Sequence, residues 1–491
     1  MSVVTYDDVR QSDSVDHAFA SIDQVLSLLN NVQGRSFRQI DITGRGAASG
    51  NKGSLGQIVE ESVLGYAINS DPNPDIVAGG KSYELKVTPL RHSKRRDERV
   101  VAKERLVLDI INYMRLPEET FGTSRFWNKS RRIVIIYYFD DRTDKKNQSR
   151  LDCKLYCSVL LDYEAKDFLT IKADWQTIHD KVTEGHADTL SEADTNYLAA
   201  CTKGASAATV RDAPAPDGAC DPTIKAKQRA FSYKASYMST VAEKILDKGA
   251  MPTLPMSAEQ TLEQYIGESF DHYVAHPVSS IAEELAMPQD ASKAKQFTSM
   301  LTLRMLGSGG HSIEQVEQFR KAHVNQVKTA TLYEQGRPKE HMSFRQISQE
   351  EWNQLADPSV EFHDSFLYRF FEENRFLFSV FQASGAKRQD SSRLTDVFEG
   401  GFLWNMPEAD IERYVYPAWA VVHRLLVNGE SIHYGRGTNL LPGASFNHVF
   451  HFRSKARNGK DQVTLPNGES ITKQTFWLDR DYVAKIIELK L

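Results

Sequence analysis

Apolar residues recur at helical spacing over residues 16–32, where Phe19, Ile22, Val25, Leu26 and Leu29 share one stripe. They recur again over residues 55–67, through Ile58, Val59, Val63 and Leu64. Between these predicted helices lies a Gly-rich loop, residues 44–53, and residues 70–80 carry turn chemistry, Asp71-Pro72-Asn73-Pro74 followed by Gly79-Gly80. Residues 82–88, 132–139 and 151–162 read as strands; the unbroken apolar run Ile133–Phe139 has the length of a buried strand. Residues 175–184 and 237–246 read as helices, and residues 213–218, Ala-Pro-Ala-Pro-Asp-Gly, as a loop.

Two prolines in Met251-Pro252-Thr253-Leu254-Pro255 halt helix and strand alike, which places a linker at 251–256. Ser257 and Gln260 have the spacing of a capping box that opens a new helix. The chain also echoes itself. Lys227-Gln228-Arg229-Ala230-Phe231, with Tyr237 beyond it, matches Lys473-Gln474-Thr475-Phe476 with Tyr482, an offset of 245 residues from Phe to Phe. Leu85-Lys86-Val87-Thr88 faces Val327-Lys328-Thr329 at an offset of 242, and Arg132-Ile133-Val134 faces Arg375-Phe376-Leu377 at 243. Three matches in order, near half the chain length, predict an α/β protein of two tandem domains, each a mixed β-sheet flanked by helices. The first spans 1–250 and the second, a degenerate copy, 257–491.

At 491 residues, with 41% hydrophobic and 25% charged residues, the chain is long enough for more than one ordinary core and is not a disordered polymer. No apolar run reaches membrane-spanning length, and the N-terminus lacks the apolar segment of a signal peptide, so no membrane partner is expected. Cys153, Cys157, Cys201 and Cys220 form no CxxC pair, which fits a reducing cytoplasm rather than a disulfide framework or a zinc site. The net charge of −5 sits in the second half; residues 1–250 hold 35 basic and 35 acidic side chains. Basic residues are clustered around 91–105, at Lys225, Lys227, Arg229 and Lys234, and at Arg453, Lys455, Arg457 and Lys460. Phosphate contact needs such local patches rather than global charge; a solvated loop is the competing reading of each.

One constellation carries chemistry. Asp75 precedes Glu84-Leu85-Lys86, and residues two apart on a strand share a face, so Glu84 and Lys86 project together. Two carboxylates that converge on a hard cation, with an ammonium beside them, suit metal-assisted hydrolysis of a phosphodiester. The same acid-x-Lys pattern at Asp144/Lys146, Asp152/Lys154, Glu164/Lys166 and Glu488/Lys490 lacks that context: a turn bearing an Asp, and a preceding helix offering Glu60 and Glu61. The Gly46–Gly53 stretch is no nucleotide loop, since no Gly-Lys-Ser/Thr follows a strand there.

Residues 52–60, Asp75, residues 83–89, 103–108 and 110–113, Thr123-Ser124, Lys129, residues 201–205 and residues 224–232 together resemble the MutH family of GATC endonucleases. Within it the likeness is to the long, two-domain type II restriction enzymes of the Sau-three-A type, and it continues through Phe398, Gly400 and Phe402, residues 406–411 and residues 473–477. The resemblance implies Mg2+ held by Asp75 and Glu84, with Lys86 as the catalytic lysine. It makes Glu60 a further acid of the site and Lys129 a second active-site lysine. Thr202 and Lys203 fall in a segment that reads bases in the major groove, where a lysine can donate to guanine O6 and N7; contact with phosphate alone is the alternative. The Asp75–Glu84 spacing exceeds the family's, through Gly79-Gly80, which leaves Asp71 as a second candidate for the first acid.

In the second half Lys328 stands at the Lys86 position, but Gln326 replaces Glu84 and Glu372 replaces Lys129. That half is expected to bind double-stranded DNA as an effector without cutting it. A palindromic target and one complete active site imply dimerisation on DNA or two successive nicks. The competing readings are a strand-nicking mismatch-repair endonuclease and a DNA-binding regulator without catalysis.

Overall fold

The computed structural model describes residues 18–48, 53–67, 73–93, 99–142, 147–161, 163–204, 209–246, 250–257, 259–385, 393–435 and 438–491. The chain divides into two compact units, one formed by Met1–Asp188 with Thr195–Ala250, the other by Thr189–Asp194 with Met251–Leu491.

The first unit is a mixed α/β body. Its strands are β1 (Ile76–Ala78), β2 (Lys81–His92), β3 (Val100–Ala102), β4 (Leu106–Ile110), β5 (Ile133–Phe139), β6 (Leu155–Leu161), β7 (Leu198–Thr202), β8 (Val210–Pro214), β9 (Thr223–Lys227) and β10 (Arg229–Tyr233). The main sheet runs β1-β2-β5-β6, with β3 also on β2; β2 and β5 are parallel and the other pairs antiparallel. Residues Ile133 to Tyr138 of β5 are all buried, as expected of a central strand covered on both faces. Helices Ile22–Asn31 and Ser54–Ser62 contribute Val25, Leu28, Leu29, Leu55, Ile58 and Val59 to the core that closes one face of this sheet. A second sheet, β4-β10-β7, and the hairpin β8-β9 complete the strands.

In the second unit the strands are β11 (Val324–Leu332), β12 (Met342–Gln346), β13 (Arg375–Gln382), β14 (Val397–Trp404), β15 (His433–Gly435), β16 (Thr438–Asn439), β17 (Phe450–Ser454), β18 (Gln462–Thr464), β19 (Ser470–Thr472) and β20 (Gln474–Leu478). Its sheets are β11-β13-β14 and β12-β20-β17, with the hairpins β15-β16 and β18-β19. The β11/β13 pair is parallel and β13/β14 antiparallel, the same senses as β2/β5 and β5/β6. An aromatic core around Phe344, Phe370, Phe371, Phe376, Phe450 and Phe476 fills this unit.

Several expectations are corrected in detail. The helix predicted at 16–32 runs Ile22–Asn31, because Ser21 caps it by accepting from the Gln24 amide. Residues 55–67 form a helix only to Ser62; Gly65, at φ 73°, then turns the chain. Ser257 does not open a helix. Gln260 accepts the Ser257 amide, but the helix begins at Leu262, where Thr261 and Gln264 form the full capping box and the apolar stripe Leu262, Tyr265, Ile266 starts. Residues 213 and 214, read as loop, end strand β8 instead, paired with Ile224 and Thr223. Among the described residues no helix is long and apolar enough to cross a membrane. The four cysteines are all free.

Candidate active site

The β1–β2 hairpin sets the site. Gly79 and Gly80, at φ 55° and 69°, make the two-residue turn, and Ala78 pairs with Lys81 and Ile76 with Tyr83. Positive φ at both central residues is the type I′ geometry that suits strand twist and favours glycine. One residue beyond the Ile76/Tyr83 pair, Asp75 stands across from Glu84, and its Oδ2 accepts the Leu85 amide at 2.9 Å. Asp71, the other candidate, lies outside the described residues.

Glu84 and Lys86 share a face, as the strand period requires: Lys86 Nζ lies 2.6 Å from Glu84 Oε1. Glu84 is buried, and its second oxygen, Oε2, is buried with no hydrogen-bond partner. A buried anionic oxygen left unsatisfied is costly unless something charged meets it. It is an atom that a divalent cation would satisfy, and the surrounding donors are hard oxygens.

Glu60, on the helix Ser54–Ser62, completes an acidic group. Burial and the like charges of Asp75 and Glu84 push its carboxyl up to about 7, against the pull of Lys86. Asp75 is raised too, first by burial and then by Glu84, while the Leu85 amide, Lys86 and Lys129 oppose the shift. Crowded, desolvated acids that resist ionisation are what a bound cation would relieve. Glu61, the next residue, does not join them; it is held by Arg45 at 2.8 Å and by Thr43.

Lys129 reaches this group from the helix Arg125–Ser130, whose N-cap Ser124 accepts the Trp127 amide. The electrostatic environment brings together all five residues predicted as catalytic: Asp75, Glu84, Lys86, Glu60 and Lys129. Sequence reasoning missed Asp109. It is buried at the end of β4, bridges Arg125 at 2.9 Å and feels Lys129, so it anchors the helix that carries that lysine. Asp109 falls between two stretches of family likeness, 103–108 and 110–113, and no spacing pattern marked it.

The residues predicted to meet DNA divide. Thr202 ends β7 and Lys203 follows it, exposed, with its amide bonded to Gln228 O. Lys225 on β9 is exposed and paired with Asp212 at 2.6 Å; Lys227 is half-buried. Arg229 is a correction: it is 1% exposed and donates to Ala200 O at 2.7 Å, so it braces the β7/β10 pair instead of reaching a duplex. In the second unit Arg453 ends β17 and Lys455 follows, both exposed, with Arg453 over the Trp477 ring and Lys455 near it.

Residues 64–174 match the family model described as DNA mismatch repair enzyme MutH, a segment that holds Asp75, Glu84, Lys86, Asp109 and Lys129. The chain is also 29% identical to the type II restriction enzyme Sau3AI of Staphylococcus aureus, over 91% of this chain and 95% of that relative.

Proposed function

We propose that this chain is a type II restriction endonuclease of the MutH family, cutting double-stranded DNA at 5′-GATC-3′ with Mg2+. The observation that carries this reading is the unpartnered Glu84 oxygen, held beside Lys86 and opposite Asp75. Likeness along nearly the whole of both chains favours a restriction enzyme over a strand-nicking repair enzyme.

A divalent cation held by Asp75 and Glu84 would supply a Lewis acid for the phosphate and a more acidic water. Lys86 orients the attacking water and stabilises the charge that builds on the phosphate oxygens. Lys129 adds positive charge beside the scissile phosphate, and Asp109 holds its helix in place. Water oxygen joins phosphorus as the bond to the 3′ oxygen breaks, leaving 5′-phosphate and 3′-hydroxyl ends. Lys203 reads the target from the loop after β7.

We read residues 1–250 as the catalytic domain, 251–256 as linker and 257–491 as a degenerate copy that binds a second DNA site. The shared order and sense of strand pairing support this. So do the registers: Glu84 pairs with Ile133 and Lys86 with Ile135, and Gln326 pairs with Phe376 and Lys328 with Phe378, at the offsets found in the sequence. Cutting both strands with one site per chain calls for two molecules on the duplex. The test is digestion of one-site and two-site plasmids with Mg2+. Discrete fragments that vanish in Glu84→Ala, with faster cutting of the two-site plasmid, are expected. Absence of sequence-specific fragments would overturn the reading.

A further inference from the structure

The second unit keeps one member of the catalytic group, Lys328, and surrounds it differently. Strand β11 is preceded by the helix Glu317–Lys321 where the first unit has its β1 hairpin. Gln326 replaces Glu84. Glu372, at the Lys129 position, lies instead in an acidic group with Glu192 and Glu373. Lys328 is buried and its Nζ donates to Ser343 O at 2.7 Å, 4.1 Å from the centre of the Phe344 ring. The charged group that acts on it is another cation, Lys455, which donates to Ser343 Oγ and Phe344 O, each at 2.8 Å.

Lys455 has a definite place in the fold. Leu198 pairs with Tyr233 and Thr202 with Arg229 in β7/β10; Phe450 pairs with Leu478 and Ser454 with Gln474 in β17/β20. The residue after each strand is a lysine, and each closes the same backbone hydrogen bond, Lys203 N to Gln228 O and Lys455 N to Lys473 O. Lys455 is therefore the counterpart of Lys203, on the surface where the first unit meets DNA. Two ammonium groups grip the same two residues of β12, one exposed and one directly behind it.

We propose that the relic of the nuclease pocket in the second unit is a metal-independent site for a DNA phosphodiester, built on Lys455 at the surface and Lys328 behind it. This rests on reading that unit as a DNA binder. Two cations close together in a poorly hydrated setting repel each other, and an anion docked on Lys455 offsets that repulsion. Burial and Lys455 lower Lys328 to about 7. A docked phosphate raises it again, so binding takes up a proton, and affinity falls as pH rises through and above 7.

The test uses the full chain with Lys86→Ala, which leaves DNA uncut, titrated calorimetrically with a short GATC duplex in EDTA. Two buffers of different ionisation enthalpy report proton uptake. Two distinct binding events, one for each unit, are expected. Lys328→Met weakens the second by about tenfold and removes up to one proton of uptake. Lys328→Arg restores affinity without the pH dependence. Lys455→Met, on the surface, repeats the loss of affinity and guards against misfolding of the buried variants. Unchanged affinity and proton uptake in Lys328→Met and Lys455→Met would overturn the site while leaving the second unit a DNA binder. A single binding event would overturn that reading, and the site with it.

Discussion

Strands β2 and β11 are the same kind of element in opposite electrostatic circumstances. Both run parallel to a partner strand that is buried in all but its last residue, and both carry a lysine two residues after a polar position. On β2 the lysine meets a carboxylate at 2.6 Å; on β11 it meets a carbonyl, an aromatic ring and another lysine. The fold therefore tolerates a half-buried lysine beside a carboxylate and a buried one without it. What sets β2 apart is not the lysine but the acids whose charge reaches it, Glu84, Asp75 and Glu60.

The comparison can be broken at its strongest point first. Glu84→Ala or Lys86→Ala should lower cleavage by about three orders of magnitude while duplex binding survives, read by plasmid gel and by retardation. Adding Gln326→Glu to Glu84→Ala should restore nothing, because the helix Glu317–Lys321 stands where the β1 hairpin would and Glu372 where Lys129 would. Any cutting in that double variant would show the two units to be closer than described.

A smaller effect is expected at Lys203. Lys203→Ala should cost about 1–3 kcal/mol of discrimination against altered sites, measured by competition binding. The acids predict a pH effect of similar size. Glu60 is raised to about 7, so below that pH it binds a proton that a cation must displace. Apparent metal affinity should fall by up to about tenfold per pH unit on the acid side, and Glu60→Gln should abolish that limb. The stability sign follows from the same shift. Between the ordinary carboxyl range and 7 the folded state holds a proton that the unfolded chain releases, so this group erodes stability as pH rises through that window. A divalent cation should then raise the melting temperature more at pH 8 than at pH 5.5. The smallest effect is expected at Lys225, whose exposed pairing with Asp212 contributes little. Lys225→Ala should reduce the salt slope of binding by about one if it touches phosphate.

Much of this was legible in the chain itself. Period-two alternation placed Glu84 and Lys86 on one face, and the repeat offsets of 242 and 243 agree with the observed strand registers. The rest depended on forces that sequence does not display. Arg229 sat in a basic cluster yet is buried, because a guanidinium can be spent on a backbone carbonyl. Asp109 gained its place only through pairing with Arg125 across the fold. Ser257 and Gln260 had the spacing of a helix start, but a competing Thr261-Gln264 pair stood nearer the apolar stripe.

The Gly79-Gly80 hairpin has a consequence for recognising such sites elsewhere. Asp75 meets Glu84 because they are cross-strand partners, not because nine positions separate them. Lengthening both arms by one residue would keep the acids opposed, whereas a lone insertion must be absorbed by the turn or a bulge. The interval between the two acids is thus free to drift in steps of two among relatives. A search keyed to strand partnership will find sites that one keyed to fixed intervals passes over.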